Sequence, residues 1–310
     1  MTKKVLLLLK SYTHAPFMNH FPFNRRLLSN YHSHSTFCDG RGAPEEFLRF
    51  ALSNGFRAYG FSSHSPLPFE TFWNMSKSDM PEYLAETERL KGKYGHRLEV
   101  YAGLEIDYLD GTYNPSIPYF QELPLDYRIG SVHFLPLSEV LTENNMVCID
   151  GGFMGFDRAV EEYFGGNVRR LVERYYSSVQ RMVETGGFDV VGHIDKVCMN
   201  GQLCHGFSFD AGWYRKAFAD SLALVAEKGL MVEINTKNML PKRQTYPRIQ
   251  FYPLLREMNI PVLVSSDCHI PHLVNDGRAE ALALLREAGF RSVRDLVGGA
   301  WQDVGINSNS

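Results

Sequence analysis

Metal-binding side chains stand at the ends of six short apolar runs in this chain. These side chains are His32 with His34, His64, Glu105, His133, His193, and Asp267 with His269. Asp39, in the segment HSHSTFCDG, adds a ninth group. Imidazole and carboxylate ligands suit divalent cations such as zinc, manganese or iron. Because nine such groups are too many for one ion, the sequence predicts a centre for two or three divalent metal ions.

The spacing of these residues supports a shared centre. His32 and His34 are two positions apart, so on a strand their side chains leave the same face. Asp267 and His269 repeat this spacing, and Cys268 between them is expected to point away. Glu105 can bridge two cations through its two oxygens, which a histidine cannot do. A dinuclear or trinuclear hydrolytic site is therefore the leading hypothesis.

The elements that would position these groups form an alternating series. Runs rich in Val, Ile, Leu, Tyr and Phe are typical of buried strands, and they lie near 27–32, 58–63, 98–107, 127–134, 189–194, 230–236 and 261–266. Helix signals fall between most of them, beginning at Pro44, Pro81, Asn167 and Asp210, and GRAEALALLREAGF follows the last run. Strands that alternate with helices predict a parallel sheet.

About seven such units without a Pro/Gly/Ser-rich linker favour one closed or nearly closed barrel. The catalytic groups of such a barrel gather at the carboxyl ends of its strands, and six of the seven predicted strands deliver a candidate ligand there. A single histidine at a strand end is more often a hydrogen-bonded structural residue, but the joint placement favours a common site. The region from Leu135 to Gly166 is predicted to be a long irregular connection, which is usually functional.

Composition describes an ordinary globular chain. Its 310 residues are 44% hydrophobic and 22% charged with a net charge of −3, which gives no general attraction to nucleic acid or anionic membranes. Five scattered cysteines without a CxxC pair fit a reducing cytoplasm. The start MTKKVLLLLK has too short an apolar run and no cleavage site for a signal peptide, so residues 1–29 are interpreted as an extension of uncertain role, with Met18 an alternative start. No later run approaches the roughly 18 residues that span a bilayer.

In their order along the chain, these segments resemble the motifs of the PHP (polymerase and histidinol phosphatase) phosphoesterases. The matching segments are HSHSTFCDG, FSSHSPLPF, GLEIDY, GSVHF, VGHIDK and SSDCH. Each is short, but the ordered set is specific and covers Asn30 to about His272. The HxH with a following acidic residue resembles the histidinol-phosphate phosphatase branch. Residues 30–310 are accordingly expected to form one PHP-type domain.

This resemblance implies a fold and a distribution of metals. The fold is an α/β protein with a distorted (β/α)7 TIM-like barrel in a single domain. One metal would be held by His32, His34, Glu105 and Asp267. The second would be held by Glu105, His133 and His193, and the third by Asp39, His64 and His269. Glu105 and Asp267 are the expected catalytic residues, Asp267 as the proton carrier.

The implied reaction is hydrolysis of a small-molecule phosphate monoester, in which cations activate water and neutralise charge on the phosphoryl oxygens. The branch implies L-histidinol phosphate as substrate, in histidine biosynthesis. Phosphate recognition needs further cations, and the predicted phosphate or substrate contacts are Arg158, Lys237, Arg243 and Asn235, with Lys196 a further candidate. No nucleic-acid or membrane partner is expected.

The organic part of the substrate requires carboxylates and a flat apolar wall. Residues of the central region offer both, namely Asp150, Asp157, Glu161, Glu162, Phe153, Phe156 and Tyr163. The alternative is that these residues form a surface helix with an aromatic inner face. In that case the wall could come from the segment after the second motif, with Phe69, Phe72 and Trp73.

Other functions stay open on the sequence. A different PHP phosphoesterase would use the same metals on a nucleotide, an oligonucleotide end or phosphotyrosine. An amidohydrolase-like enzyme that cleaves C–N bonds can also use HxH, but it commonly carries a bridging lysine, for which the strand ends offer no candidate. A non-catalytic metal-binding relative would be expected to lose ligands, and none of the nine is missing.

Overall fold

The computed structural model describes residues 28–306. Its strands are β1 (Ser29–Asn30), β2 (Ala58–Phe61), β3 (Glu99–Ala102), β4 (Glu105–Asp107), β5 (Ile129–Ser131), β6 (Phe134–Pro136), β7 (Met146–Cys148), β8 (Val190–Val191), β9 (Met231–Asn235), β10 (Val262–Ser265), β11 (Ser292–Val297) and β12 (Ala300–Gly305). Its α-helices are α1 (Pro44–Ser53), α2 (Met80–Tyr94), α3 (Pro118–Gln121), α4 (Phe153–Phe164), α5 (Val168–Thr185), α6 (Cys198–Gly201), α7 (Gly212–Lys228), α8 (Met239–Lys242), α9 (Tyr252–Glu257) and α10 (Arg278–Glu287). The N-terminal apolar run and Met18 lie outside the described residues.

Seven parallel strands form the barrel. They pair in the orders β1-β2-β3 and β4-β5-β8-β9-β10, and β3 and β4 are halves of the single strand predicted at 98–107. A parallel bridge between Ser33 and Cys268, with the amide of His34 donating to the carbonyl of Cys268 at 3.0 Å, joins the first strand to the last. The predicted distorted (β/α)7 barrel is therefore confirmed.

Local signals lie at or near the start of four of these helices. Asn167 caps α5, since its side chain accepts a hydrogen bond from the amide of Arg169 at 3.1 Å. Helix α1 begins at Pro44 as predicted, α2 begins one residue before Pro81, and α7 begins two residues after Asp210. No helix between residues 28 and 306 has the length and hydropathy needed to cross a membrane.

The central region is more regular than predicted. Strands β6 and β7 form an antiparallel hairpin, and α4 follows it. A pair of glycines flanks α4 on each side. Gly152 is the N-cap of the helix, and Gly165 ends it in the left-handed conformation, with φ 64°. Helix α4 buries Phe156 and exposes the carboxylates listed next: Asp157, Glu161 and Glu162. The expectation of one long irregular loop is wrong. The surface-helix alternative is correct for the residues of α4, whereas Asp150 lies before the helix.

An antiparallel hairpin, β11–β12, closes the amino end of the barrel and was not predicted. Its Leu296 is buried with Tyr31 and Tyr127 in the barrel interior, and Trp301 packs against this cluster, with its ring 5.3 Å from that of Tyr31. Other members of this interior cluster begin their strands: Ala58, Ile129, Val190 and Met231. The interior below the strand ends is therefore a packed core, and the opposite end is left for the polar groups.

Candidate metal centre

The nine predicted ligands lie together at the carboxyl ends of the barrel strands. Their candidate ligand atoms fall into four overlapping groups, each with atoms within 4.8 Å of one another: His34, Asp39, His64 and His269; His32, His193 and Asp267; His32, His34 and Glu105; His64, Glu105 and His133. Seven of the nine side chains are buried, and Asp39 and His269 are half-buried. A cluster of this density in a barrel mouth is suited to more than one cation.

Glu105, the first residue of β4, lies at the middle of the cluster. Its Oε2 is 3.2 Å from His32 Nε2 and 2.9 Å from His64 Nδ1. On the other side its Oε1 is 2.8 Å from His193 Nε2 and 3.5 Å from His133 Nε2. Since its two oxygens face different histidines, Glu105 is in the position that a bridging carboxylate requires.

Asp267 reaches the cluster through an unusual backbone conformation. Strand β10 ends at Ser265, and Asp267 has φ 49°, in the left-handed region that few non-glycine residues adopt. Its Oδ1 lies 3.2 Å from His34 Nε2. The prediction that Asp267 and His269 converge as alternate residues of a strand is therefore wrong in its geometry, although both reach the cluster. Cys268 points away as expected, with its sulfur 3.6 Å from the Tyr59 hydroxyl.

The residues expected to hold a third metal lie at the outer edge of the ligand cluster. Asp39 Oδ2 is 3.3 Å from His269 Nε2, and Asp39 Oδ1 is 3.8 Å from His64 Nε2. The structure adds His34, whose ring stacks on that of His269 at 4.2 Å. Because the groups overlap at His34 and Glu105, the division into three separate ligand sets stays a prediction.

Two fully buried carboxylates support the ligands from behind. Glu233 on β9 lies 2.7 Å from His32 Nδ1 and accepts a hydrogen bond from the amide of His193 at 3.0 Å. Asp107 on β4 lies 3.0 Å from His133 Nδ1. Such partners fix the orientation of a ligating imidazole and raise its basicity. Asp107 is not among the residues predicted from the sequence, although its position two residues after Glu105 places both side chains on the same face of a strand.

The charges of the cluster interact strongly. Burial opposes ionisation of Glu105, yet the neighbouring histidines His32, His133 and His64 hold its pKa well below the usual range. Burial also disfavours the charged form of His133, but Asp107 and Glu105 outweigh it and raise its pKa to about 10. For His34, burial is reinforced by nearby histidines and the pKa falls well below its ordinary value.

The donor atoms fit divalent cations. Within residues 28–306, several buried ligand atoms have no hydrogen-bond partner, among them His32 Nε2, His34 Nε2, His64 Nδ1, Asp39 Oδ1 and Glu105 Oε2. Ligand atoms about 2.0–2.1 Å from a tetrahedral ion lie roughly 3.3 Å apart. The spacings of 2.8–3.9 Å around Glu105 and Asp267 bracket that value. Buried ligand atoms that lie close together without hydrogen-bond partners are expected where a cation is shared.

The predicted phosphate-binding residues fall into two groups. Lys237 lies at the cluster, with Nζ 3.1 Å from Asp267 Oδ1. Asn235 is buried there, and its amide donates to Glu233 and to Asp267 at 3.1 and 3.0 Å. Arg158 on the outer side of α4 and Arg243 after α8 are exposed, and the structure does not bring their side chains into a hydrogen bond or ion pair with any residue from 28 to 306.

Aromatic and charged groups line the rim beside the cluster. The ring of Trp73 is 4.6 Å from that of His64 and stacks on Phe134 at 5.5 Å. Phe69 also packs on Phe134, whereas Phe72 is 96% exposed. The buried Lys196 pairs with Asp150 at 3.6 Å. An aromatic wall and a charged pair thus adjoin the metal-binding groups.

A closed parallel barrel with this many histidine and carboxylate ligands at its strand ends defines a metal-dependent hydrolase of the barrel type. The sequence profile of the PHP domain family matches residues 30–237. The chain belongs to the PHP domain family, and with its buried ligand cluster it is a PHP-type metal-dependent phosphoesterase.

Curated relatives are similar over most of their length. A "Probable histidinol-phosphatase" of Deinococcus radiodurans is 30% identical over 272 residues, which cover 86% of this chain and 95% of the relative. The histidinol-phosphatase of Bacillus subtilis is 26% identical, over 77% of this chain and 92% of that protein. A solved structure of the Lactococcus lactis histidinol phosphate phosphatase, in complex with zinc, L-histidinol and phosphate, superimposes with a TM-score of 0.70 at 21% identity, covering 89% of this chain and 99% of that chain. At that identity the structural likeness shows the fold alone.

Proposed function

We propose that this protein hydrolyses L-histidinol phosphate to L-histidinol and phosphate, as a step of histidine biosynthesis. The observation that carries the proposal is the convergence of nine ligand-type side chains in one cluster, with the two oxygens of Glu105 at its middle. The relatives named as histidinol-phosphatases support this substrate over other phosphate esters. The L. lactis structure adds that a protein of the same fold accommodates zinc, L-histidinol and phosphate.

Two or three divalent cations, with zinc, manganese and iron as candidates, would be held by the nine ligands. When bound, they would activate water and neutralise charge on the phosphoryl oxygens. Glu105 would hold two cations together, and Glu233 and Asp107 would keep His32 and His133 oriented toward them. Asp267 would accept the proton of the attacking water, since its Oδ1 faces the centre while Asn235 secures its Oδ2.

Lys237 is the best placed of the predicted phosphate-binding residues. Its ammonium lies beside Asp267, where it would donate hydrogen bonds to the phosphate of the substrate. Arg158 and Arg243 stay predictions as phosphate contacts, because both side chains are exposed and would have to extend over the rim. Asn235 also stays a prediction, but both of its amide hydrogens already have carboxylate acceptors, so its role in the proposal is to position Asp267.

The imidazole of the substrate would rest against the aromatic wall of Trp73 and Phe134, which borders His64 and His133. A flat apolar surface next to the phosphate site suits a neutral aromatic ring. The five cysteines carry free thiols, and a reducing cytoplasm is the compartment that this proposal expects.

The test is steady-state phosphate release from metal-reconstituted protein. L-histidinol phosphate is compared with p-nitrophenyl phosphate, phosphotyrosine and a 3′-phosphorylated oligonucleotide. We expect kcat/KM in the enzymatic range of about 10⁴–10⁸ M⁻¹s⁻¹ for L-histidinol phosphate alone. Efficient cleavage of another ester, with weak cleavage of this one, would retain the phosphoesterase and refute the substrate.

A further inference from the structure

Asp150 stands apart from the other carboxylates around the centre. Glu105 and Asp267 are predicted ligands, and Asp107 and Glu233 are buried against histidine rings. Asp150 follows strand β7, and its side chain is 27% exposed. It is therefore an acidic group of the rim that an arriving molecule can contact without displacing a predicted metal ligand.

The backbone around Asp150 is fixed on both sides. The side-chain amide of Asn200 donates to the carbonyls of Ile149 and Gly151, at 3.1 and 2.9 Å. The amide of Ile149 donates to the carbonyl of His133 at 2.8 Å, which ties this segment to a predicted ligand. A carboxylate held in this way needs no loop ordering when it binds a ligand, which lowers the entropic cost of recognition.

The partner of Asp150 is equally well fixed. Lys196 is buried, its amide bonds to the carbonyl of His193 at 2.8 Å, and its ammonium lies 5.3 Å from the ring centre of Tyr246. The distance from its Nζ to Asp150 Oδ2 is 3.6 Å, longer than a good charged hydrogen bond of about 2.7–2.9 Å. One anion and one cation, loosely paired and carried by hydrogen-bonded backbone, thus stand side by side next to the metal-binding groups.

A molecule with complementary charges can engage both members of this pair. The phosphate of an ester would accept hydrogen bonds from Lys196, and a substrate ammonium would donate to Asp150. In a 2-aminoalkyl phosphate, the nitrogen lies two carbons from the ester oxygen. The ammonium and the phosphate of such a compound are therefore close together, as are the charges of Asp150 and Lys196. L-histidinol phosphate is such a compound, whereas p-nitrophenyl phosphate and nucleotides carry no amine at that position.

We propose that Asp150, held beside Lys196, is the specificity-determining residue that selects phosphate monoesters with a cationic amine two carbons from the ester oxygen. This inference rests on the proposed phosphatase function. It assigns a recognition role to a residue of the β7–α4 connection, while the exposed carboxylates of α4 have none. Substrates without the amine would leave Asp150 with Lys196 and the Cys148 thiol as its partners and would gain no hydrogen bond from it.

The test compares two esters that differ only in the amine. Values of kcat/KM are measured for L-histidinol phosphate and for 3-(imidazol-4-yl)propyl phosphate, and their ratio is the amine preference. We expect a preference of about 10–100-fold in the unmodified protein, as for a hydrogen bond to a charged group. In Asp150→Asn the ratio should fall close to one. The substitution also removes the charged partner of Lys196, but this change affects both esters because they carry the same phosphate. The ratio of the two kcat/KM values therefore reports the contribution of the amine alone.

Two further variants sharpen the result. Asp150→Glu retains the charge and should recover part of the preference, which a purely structural role would not require. Glu162→Gln, an exposed carboxylate on α4, is the matched control and should leave the ratio unchanged. An unmodified protein that cleaves both esters equally, or an Asp150→Asn protein with the original ratio, would overturn the proposal and leave the phosphatase function standing. Absence of cleavage of every ester by the metal-loaded protein would overturn both.

Discussion

The two ends of the barrel both bury charged groups, but they satisfy them differently. At the amino end, one oxygen of Asp295 accepts from the Tyr31 hydroxyl and the other lies 2.7 Å from Arg57. At the carboxyl end, Glu105 Oε2 and His64 Nδ1 are 2.9 Å apart, yet neither has a hydrogen-bond partner among the described residues. The amino end thus carries its own counterion for Asp295, whereas the carboxyl end has the donor set of a cation site.

Buried charges at the amino end therefore have a structural role, and those at the carboxyl end have a functional role, although the residues involved can be neighbours in the sequence. Tyr31 and His32 are neighbours, and they point to opposite ends of the barrel. Buried charges are costly unless they are paired, so the unsatisfied ligand atoms at one end require an external partner. Substitutions at the carboxyl end should mainly affect metal binding and catalysis, and those at the amino end should mainly affect stability.

The largest effect is expected from Glu105→Gln. The amide keeps the size of the side chain but removes the charge and one acceptor oxygen, so it cannot bridge two cations. We expect phosphate release to fall by at least about 10³-fold, beyond the 10–100-fold typical of residues behind the ligands, with fewer metal ions per chain by elemental analysis. Glu122→Gln, at an exposed position, is the control. Retention of full metal content and activity in Glu105→Gln would remove Glu105 from the centre.

A smaller effect is expected from Glu233→Gln. The glutamine can offer an acceptor to His32 or to the amide of His193, but its NH₂ group then opposes the other donor. Metal affinity should fall by about 10–100-fold, as measured by competition with a chromophoric chelator. The exposed Glu227→Gln on α7 should bind metal normally. Equal affinities for the two variants would show that Glu233 does not support the ligands.

The third substitution, Asp295→Asn, tests the amino end. Asp295 is almost fully buried, and removing its charge leaves Arg57 and Tyr31 with a weaker partner. The free energy of unfolding should decrease by about 3 kcal/mol, measured by denaturant titration of metal-free protein. Asp303→Asn on the same hairpin, whose carboxylate is 60% exposed, should change it by less than about 1 kcal/mol.

The smallest expected effect is the change in catalytic activity caused by Asp295→Asn. For the folded fraction of Asp295→Asn, kcat/KM should stay within about twofold of the unmodified protein, because surface and distant changes are usually near neutral for independent sites. A large loss of metal affinity in this variant would contradict the separation of the two ends and would indicate coupling through Tyr31 and His32.

The carboxyl end was largely predictable from the sequence, because each ligand follows a recognisable strand pattern and parallel strands bring their ends together. The geometry at Asp267 was not predictable, since a left-handed φ is allowed for aspartate but is not encoded in a residue spacing. The overlap of the ligand groups at His34 could not be predicted from the sequence either, because it depends on how the loops pack.

The amino end and the central region were harder to predict. The segment SVRDLV, followed by Gly298 and Gly299, carries a hairpin signal, since both glycines have positive φ. The pattern of seven strands and their helices is complete at the preceding helix, so that pattern alone does not predict the hairpin. In the central region, Gly152 and Gly165 were interpreted as loop residues, whereas they mark the ends of helix α4. Paired glycines indicate the end of a secondary-structure element, and the amphipathic pattern between two such pairs indicates that the element is a helix.

We propose that the carboxyl-end cluster binds two or three divalent ions and that L-histidinol phosphate is hydrolysed there. The most direct measurement removes all metal with a chelator, titrates zinc or manganese back, and follows metal content and phosphate release together. The account predicts no activity without metal and recovery that is complete at two to three ions per chain. Phosphate release by the metal-free protein, or stoichiometric metal binding without cleavage of any ester, would contradict it.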